Sequence, residues 1–297
     1  MVQPRNTTLN VSISLNSCFF DEILVKYLGD KRESCPFRTA STNNFFILRM
    51  NSIINQNPSH LSQLKTEIME YAASLGVSTE THIEYVVDAI LSNPDLANTV
   101  RPKKGKKQLT REQIIEKWVG KFHKGYLGRI SQRKSNPPGT IPDLAVEKIL
   151  IAAMPDTVDE VTASKLVYAH RLCMSAENIL GLLLEEFLFE ELSALGWACA
   201  WGETIKAVDF CCKDGRLLQV KNRSNSENSS SSKIREGTNI HKWYRVNANS
   251  GEYLWADLQH YVGNCPTLTE ENFNKFIERI LTNNPDAFAI EDGNCWA

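Results

Sequence analysis

The sequence predicts an α/β (α+β) protein in which a mainly helical N-terminal region precedes a sheet. Residues 61–75 and 82–91 carry apolar side chains at three- and four-residue spacing, which is typical of amphipathic helices. A longer stretch with the same spacing covers residues 175–196. Residues 197–223 then alternate apolar and polar side chains around Asp214-Gly215, a pattern that indicates two strands joined by a tight turn.

The composition is that of a globular protein. The 297 residues are 42% hydrophobic and 23% charged, which excludes collagen, coiled-coil and disordered classes. No apolar run approaches the roughly 20 residues that span a bilayer, so we expect no membrane partner. The 8 cysteines form no CxxC pair and no zinc-like cluster with histidine. We therefore expect reduced thiols and a cytoplasmic location.

The residues between 101 and 134 form a strongly basic segment. They include 12 Lys or Arg and only 2 Glu, although the whole chain has a net charge of −2. The segment also contains four interleaved aromatic residues: Trp118, Phe122, His123 and Tyr126. This combination favours contact with a nucleic-acid backbone. The competing interpretation is that the segment is a solvent-exposed helix face, because most runs of charged residues are solvent-exposed.

A proline-rich turn follows this segment at Pro137-Pro138-Gly139. We place a domain boundary there, which divides the chain into a mainly helical region, 1–140, and a second region, 141–297. The 101–134 segment is the expected DNA-contacting part of the first region. The long helix of the second region is expected to begin at Ser175 as N-cap and to end at Gly196.

The turn of the hairpin decides which side chains share a face. A two-residue loop at Asp214-Gly215 would point Asp209 away from Lys221. A three-residue loop with Gly215 in the left-handed conformation pairs Asp209 with Gln219 and places both on the Lys221 face. Only the second register buries the apolar residues of both arms together, namely Val208, Phe210, Cys212, Leu218 and Val220. We therefore predict the three-residue loop.

These polar groups suit phosphodiester hydrolysis with a divalent metal. We predict that Mg²⁺ is bound by the Asp209 carboxylate, the Gln219 amide oxygen and the Val220 carbonyl, since Mg²⁺ prefers oxygen ligands. Lys221 would orient or help deprotonate the attacking water and offset charge on the phosphate. A second carboxylate from the preceding helix is chemically reasonable; Glu185 is the candidate and Glu186 its rival.

The order of helix Glu, strand Asp, hairpin and Lys resembles the PD-(D/E)xK nuclease superfamily. The resemblance implies a mixed sheet flanked by helices as the nuclease core. It also favours Glu185, because in that superfamily the helix acid often stands about eleven residues before a helix-ending glycine, here Gly196. Two positions depart from the pattern: Val208 replaces the usual proline, and Gln219 replaces the usual acid.

More narrowly, residues 219–245 and 123–143 resemble the SinI group of type II restriction endonucleases. The resemblance implies a Mg²⁺-dependent homodimer that cuts duplex DNA at a short palindrome, GGWCC for that group, and leaves 5′-phosphate ends. It also implies a cognate DNA methyltransferase in the same restriction-modification system, without physical association. The alternatives are a repair or junction-resolving nuclease and a catalytically inactive DNA-binding protein of the same fold.

The polar run after Lys221 supplies amide, hydroxyl and guanidinium groups suited to reading base edges and phosphates. Together with the end of the basic segment, the expected DNA-binding residues are Asn222, Arg223, Asn225, Ser229, Ser230, Lys233, Arg235, Arg133 and Lys134. The alternative for the run is a flexible serine-rich surface loop. For His241, Trp243 and Tyr244 two interpretations are equally good: the rings pack in the protein core, or they contact the DNA backbone.

Overall fold

Helices form the first part of the fold. The computed structural model describes residues 50–56, 58–100, 109–137, 139–224 and 234–296. The first four helices are α1 (Met50–Gln56), α2 (Leu61–Ser74), α3 (Ile83–Ser92) and α4 (Arg111–Leu127). A capping box between Thr110 and Gln113 starts α4. Helices α2 and α3 occupy the two stretches whose periodicity predicts them.

A helical hairpin follows, made of α5 (Leu144–Ala153) and α6 (Glu160–Leu192). The predicted start of α6, with Ser175 as N-cap, is wrong, because the helix already begins at Glu160. Its N-cap is Asp159, whose side chain accepts a 2.8 Å hydrogen bond from the Thr162 amide. The predicted end is confirmed: a short 3₁₀ turn closes at Gly196, whose φ is +80°.

The sheet has four strands in the order β1-β2-β3-β4. They are β1 (Trp197–Cys199), β2 (Phe210–Cys212), β3 (Leu217–Arg223) and β4 (Ile240–Val246). Strand β2 is antiparallel to both β1 and β3, whereas β4 runs parallel to β3. This mixed sheet, with helices around it, confirms the predicted fold class. Two further helices, α7 (Trp255–Val262) and α8 (Glu270–Asn283), follow it.

One hydrophobic core joins the helices before residue 140 to the sheet after it. Side chains of α2, α3 and α4 share this core with the C-terminal half of α6 and with β1–β3. All of the described residues fall within one compact unit, Ile47–Ala297. The boundary near residue 140 stays a prediction. Among the described helices, none has the length and apolar character needed to cross a membrane.

The aromatic residues of β4 and its neighbours belong to the core or its edge. Trp243 is buried, and its indole N–H donates a 2.7 Å hydrogen bond to the Leu254 carbonyl. His241 stacks on the ring of Tyr261 with 3.8 Å between centroids. For Trp243, core packing is therefore the correct alternative.

Candidate active site

The β2–β3 hairpin fixes which residues face each other. Phe210 pairs with Leu218, and continuing this register by one residue brings Asp209 opposite Gln219. The turn comprises residues 213–215, with Gly215 in the left-handed region at φ +90°. The three-residue loop and its register, predicted from the apolar pattern alone, are confirmed.

Four predicted residues converge on one cavity of about 940 Å³. Asp209 precedes β2, Gln219 and Lys221 lie on β3, and Glu185 projects from α6; all four line this cavity. The Asp209 side chain is oriented by the Val220 backbone N–H, which donates a 2.7 Å hydrogen bond to Oδ2. We call this cavity, with Glu185, Asp209, Gln219 and Lys221 on its wall, the catalytic cavity.

The two carboxylates of the catalytic cavity are difficult to ionise together. Burial, and next the negative charge of Asp209, raise the pKa of Glu185 to about 8, although Lys221 opposes this shift. Burial also raises the pKa of Asp209, against the opposing effects of the Val220 N–H and of Lys221. The positive charge of Lys221 therefore does not offset the cost of ionising both carboxylates.

The two candidate helix acids have different surroundings. Glu185 lines the catalytic cavity, whereas Glu186 is buried away from it with 2% of its surface exposed. Glu186 accepts hydrogen bonds from the backbone N–H (3.2 Å) and the hydroxyl of Ser131, and its carboxylate lies 3.6 Å from Arg129 Nε. Glu186 is therefore placed to hold the end of the basic segment against α6.

Gln219 has a partner that its sequence position did not predict. It is buried, and its Oε1 accepts a hydrogen bond from the Arg235 guanidinium. The oxygen expected to bind Mg²⁺ is therefore already an acceptor, with one lone pair left for a second interaction. The contact also brings Arg235, an expected DNA-binding residue, to the edge of the catalytic cavity.

Basic side chains of the 101–134 segment line the same cavity. These residues are Lys121, Arg129 and Arg133. Arg129 lies 3.5 Å from the centroid of the Tyr126 ring and donates to the Tyr126 carbonyl. The composition of the segment predicts contact with DNA, but it does not predict that Lys121 and Arg129 line the same cavity as the carboxylates. Their spacing in the sequence gives no signal of that proximity.

Two of the interleaved aromatic residues contact the core instead of the surface. Trp118 and Phe122 are buried in α4, while Lys117, Lys121 and Lys124 are exposed on its other side. The expectation that these two rings interleave with the bases against a nucleic-acid backbone is therefore wrong. They form the apolar stripe that docks an amphipathic helix.

The remaining expected DNA-binding residues have varied surroundings. Lys134 forms a 2.9 Å ion pair with Asp286, and the Asn222 amide oxygen accepts a 2.9 Å hydrogen bond from Arg245. Arg223 is exposed at the end of β3. The other members of the set, Asn225, Ser229, Ser230 and Lys233, lie outside the described residues.

A constrained loop, residues 200–208, forms one wall of the catalytic cavity. Gly202, Glu203 and Ala207 have φ values of +72°, +52° and +55°, and the last two are uncommon for residues with a side chain. The Thr204 carbonyl accepts hydrogen bonds from the Trp118 indole N–H at 3.2 Å and from the backbone N–H of Asn98 at 3.0 Å. These contacts hold the loop rigidly beside Asp209.

Glycine is required where this loop touches α4. A Cβ on Gly202 would lie 2.2 Å from the Lys121 carbonyl oxygen. We expect Gly202→Ala to lower the free energy of unfolding by about 1–3 kcal/mol and to slow catalysis, because the added methyl group forces apart the backbone of the loop and the backbone of α4. Gly120→Ala in α4 is the control, since its Cβ meets nothing within 4 Å. Urea denaturation would measure both variants, and wild-type stability of Gly202→Ala would refute the close contact.

The donor set of the catalytic cavity fits a hard divalent cation. The carboxylates of Glu185 and Asp209 and the second lone pair of Gln219 are oxygen donors, and the uncompensated repulsion between the carboxylates is what a cation would relieve. Among the described residues, no group of three or more His, Cys, Asp or Glu side chains forms a metal site. Amide and backbone oxygens would therefore have to complete the coordination.

Comparison with known proteins identifies the family. Residues 63–283 match the sequence model described as SinI restriction endonuclease. The chain belongs to this family. The match covers all four strands and both candidate helix acids, so it includes the whole catalytic cavity.

Two relatives that are similar to this SinI-family chain are both type II restriction enzymes. It is 36% identical over 203 residues to the type II restriction enzyme Eco47I of Escherichia coli, and that alignment covers 67% of this chain and 85% of the relative. It is also 36% identical over 193 residues to the type II restriction enzyme SinI of Salmonella infantis, over 63% of this chain and 81% of the relative. The predicted resemblance is confirmed: the protein is a type II restriction endonuclease, an enzyme that hydrolyses DNA phosphodiester bonds at specific sites.

Proposed function

We propose that this endonuclease acts as a Mg²⁺-dependent homodimer on a short palindromic site, with GGWCC as the site implied by the family resemblance. Each subunit hydrolyses one strand and leaves a 5′-phosphate end. The observation that supports the proposal most is the convergence of Glu185, Asp209, Gln219 and Lys221, from three separate segments of the chain, on one cavity. A cognate methyltransferase of the same specificity would protect the host DNA.

Glu185 and Asp209 would hold the metal, with oxygens of Gln219 and Val220 completing the set. When bound, Mg²⁺ supplies Lewis-acid stabilisation of the charge that develops on the phosphate. The Val220 N–H fixes the Asp209 carboxylate by a 2.7 Å hydrogen bond, so this ligand is oriented before the ion arrives. Gln219 supports the site from the β3 side while it accepts from Arg235.

Lys221 orients the attacking water in this mechanism and offsets negative charge on the pentavalent phosphate. Lys221 and Gln219 are separated by one residue on β3 and therefore point to the same face. The same cavity is also lined by Lys121, Arg129 and Arg133, which would neutralise phosphates of the bound strand. The proposed DNA contact also includes Lys134, Asn222, Arg223 and Arg235, together with Asn225, Ser229, Ser230 and Lys233, which lie outside the described residues.

Plasmid digestion tests this function. The purified protein is incubated with plasmid DNA with Mg²⁺ or with EDTA, and the fragment ends are sequenced and tested as ligase substrates. We expect discrete fragments only with Mg²⁺, with ligatable 5′-phosphate ends at GGWCC. Cleavage in EDTA would refute the metal requirement. Discrete fragments that end at a different sequence would refute the proposed site.

A further inference from the structure

Arg129 is a cationic side chain that the fold holds in place on the wall of the catalytic cavity. Its guanidinium carbon lies 3.5 Å from the centroid of the Tyr126 ring and 6.0 Å from that of Trp201. One of its N–H groups donates a 2.6 Å hydrogen bond to the Tyr126 carbonyl, and its Nε lies 3.6 Å from the buried Glu186 carboxylate. Only 12% of the Arg129 side chain is exposed. Long-range attraction to DNA requires none of these contacts, since it depends on charge alone.

The backbone on either side of this arginine is fixed as well. It belongs to a turn of residues 128–135 that follows α4, which we call the arginine turn. Ile130 in the turn is fully buried, and the Asn284 side-chain amide donates hydrogen bonds of 2.7 and 2.8 Å to two carbonyl groups of the turn. The backbone N–H and the hydroxyl of Ser131 both donate to Glu186. Glu186 therefore contacts both the turn and the cationic side chain that the turn presents.

The charge of Arg129 acts on the same region as the two cavity carboxylates. Arg129 lines the catalytic cavity together with Glu185 and Asp209. Burial raises the pKa of the Cys199 thiol, which lines this cavity too, and the negative charges of Glu185 and Asp209 raise it further. Arg129 opposes this shift. The guanidinium is thus within electrostatic range of the space in which the proposed metal ligands would hold a phosphate.

Stability alone gives little reason for this arrangement. A buried ion pair is often no more stabilising than apolar side chains of the same volume. A guanidinium has five N–H groups, and in the described part of the chain one of those on Arg129 donates to the Tyr126 carbonyl while Nε lies beside Glu186. Others remain for an oxygen atom in the cavity. Because the group is already oriented and partly desolvated, it can stabilise negative charge without reorganising during the reaction.

We propose that Arg129 donates hydrogen bonds to the phosphate that is cleaved, and that Glu186 is the positioning residue that holds it there. The inference rests on the proposed function, since it requires a phosphate at the metal held by Glu185 and Asp209. The two adjacent glutamates of α6 then have different roles: Glu185 binds the metal, whereas Glu186 orients a cation that contacts the same phosphate. Negative charge that develops on the phosphate oxygens strengthens these hydrogen bonds in the transition state.

Binding of modified DNA in Ca²⁺ tests the proposal without relying on cleavage. The duplex contains the site that the wild type cuts, and one phosphate at a time is replaced by an uncharged methylphosphonate. At the cleaved position, we expect this replacement to reduce the affinity of the wild type at least about 10-fold more than that of Arg129→Ala. Glu186→Gln, at a temperature at which circular dichroism shows it folded, should resemble Arg129→Ala. At every other position the three proteins should lose affinity by the same factor.

Arg279 and Glu190 supply matched controls. They form a 2.6 Å ion pair between α8 and α6, and the Arg279 guanidinium lies 5.0 Å from the centroid of the Phe276 ring. This cluster has the same components as that of Arg129, but neither member of the ion pair lines the catalytic cavity. Arg279→Ala and Glu190→Gln should therefore lose as much affinity as the wild type when the cleaved phosphate is replaced.

Three outcomes would overturn the inference. If Arg129→Ala loses as much affinity as the wild type at every position, Arg129 is structural only. If its loss differs from that of the wild type at another phosphate, Arg129 binds DNA away from the reaction. If Arg129→Ala behaves as expected but Glu186→Gln resembles the wild type, Glu186 does not position the arginine. The plasmid assay separates these failures from that of the proposed function, because a wild type that never cuts with Mg²⁺ refutes the function before any variant is compared.

Discussion

Replacing Asp209 by Asn is expected to slow DNA cleavage by about 1,000-fold or more while DNA binding is retained. The amide keeps an oxygen that can accept from the Val220 N–H, so the hairpin should stay intact, but the negative charge that would hold Mg²⁺ is lost. Lys221→Ala is expected to act similarly, because it removes the ammonium beside the attacking water. Single-turnover cleavage rates and gel-shift titrations in Ca²⁺ would measure the two effects separately.

The same hairpin supplies matched controls. Asp214 and Lys213 are exposed at its turn, where Asp214 pairs with Arg216 at 2.9 Å and lies outside the catalytic cavity. Asp214→Asn and Lys213→Ala should therefore cut DNA at nearly the wild-type rate. Substantial cleavage by Asp209→Asn or Lys221→Ala would remove that residue from the mechanism.

Glu185→Gln is expected to abolish cleavage and at the same time to stabilise the metal-free protein. Burial and the Asp209 charge raise the Glu185 pKa from its ordinary 4.5 to about 8. The folded state thus binds a proton that the unfolded state has released, and the free energy of unfolding falls as pH rises from about 4.5 to about 8. The amide cannot ionise, so the variant should lack this loss and gain at least about 1 kcal/mol at pH 8.

Glu186 supplies the control, because its replacement is expected to change the free energy of unfolding in the opposite direction. Glu186 is buried, accepts from Ser131 and pairs with Arg129, so Glu186→Gln should lower the free energy of unfolding by about 1–3 kcal/mol. Denaturant titrations at pH 5 and pH 8, with and without Mg²⁺, would measure all three proteins. Added Mg²⁺ should stabilise the wild type and not Glu185→Gln. A destabilised Glu185→Gln, or one that Mg²⁺ still stabilises, would contradict the assignment of Glu185.

The sequence was sufficient for the geometry of the hairpin, because local rules determine it. Alternation between buried and solvent-facing positions allowed one register, and a glycine suited to positive φ marked the turn. The positions of apolar residues that have no chemical role thus predict that Asp209 lies opposite Gln219. The end of α6 at Gly196 followed from the same kind of local signal.

The parts that could not be predicted depend on contacts distant in the sequence. Ser175 is a good N-cap residue, but α6 continues upstream of it through the buried Ala163 and Val167, and Asp159 caps the helix. The interleaving of Trp118 and Phe122 with basic residues predicts contact with a nucleic-acid backbone, but both rings are buried, and only the folded helix shows which side of α4 faces the core. The partnership of Glu186 with Arg129 spans more than fifty residues and has no local pattern.

In the proposed mechanism, Glu185 and Asp209 together bind the divalent metal that DNA cleavage requires. Crystals of the protein with a cognate duplex and Mn²⁺, measured at the manganese absorption edge, would locate the metal. We expect an anomalous peak about 2.1–2.3 Å from carboxylate oxygens of both residues. A peak bound by other carboxylates, with Glu185 and Asp209 uncoordinated, would refute this assignment.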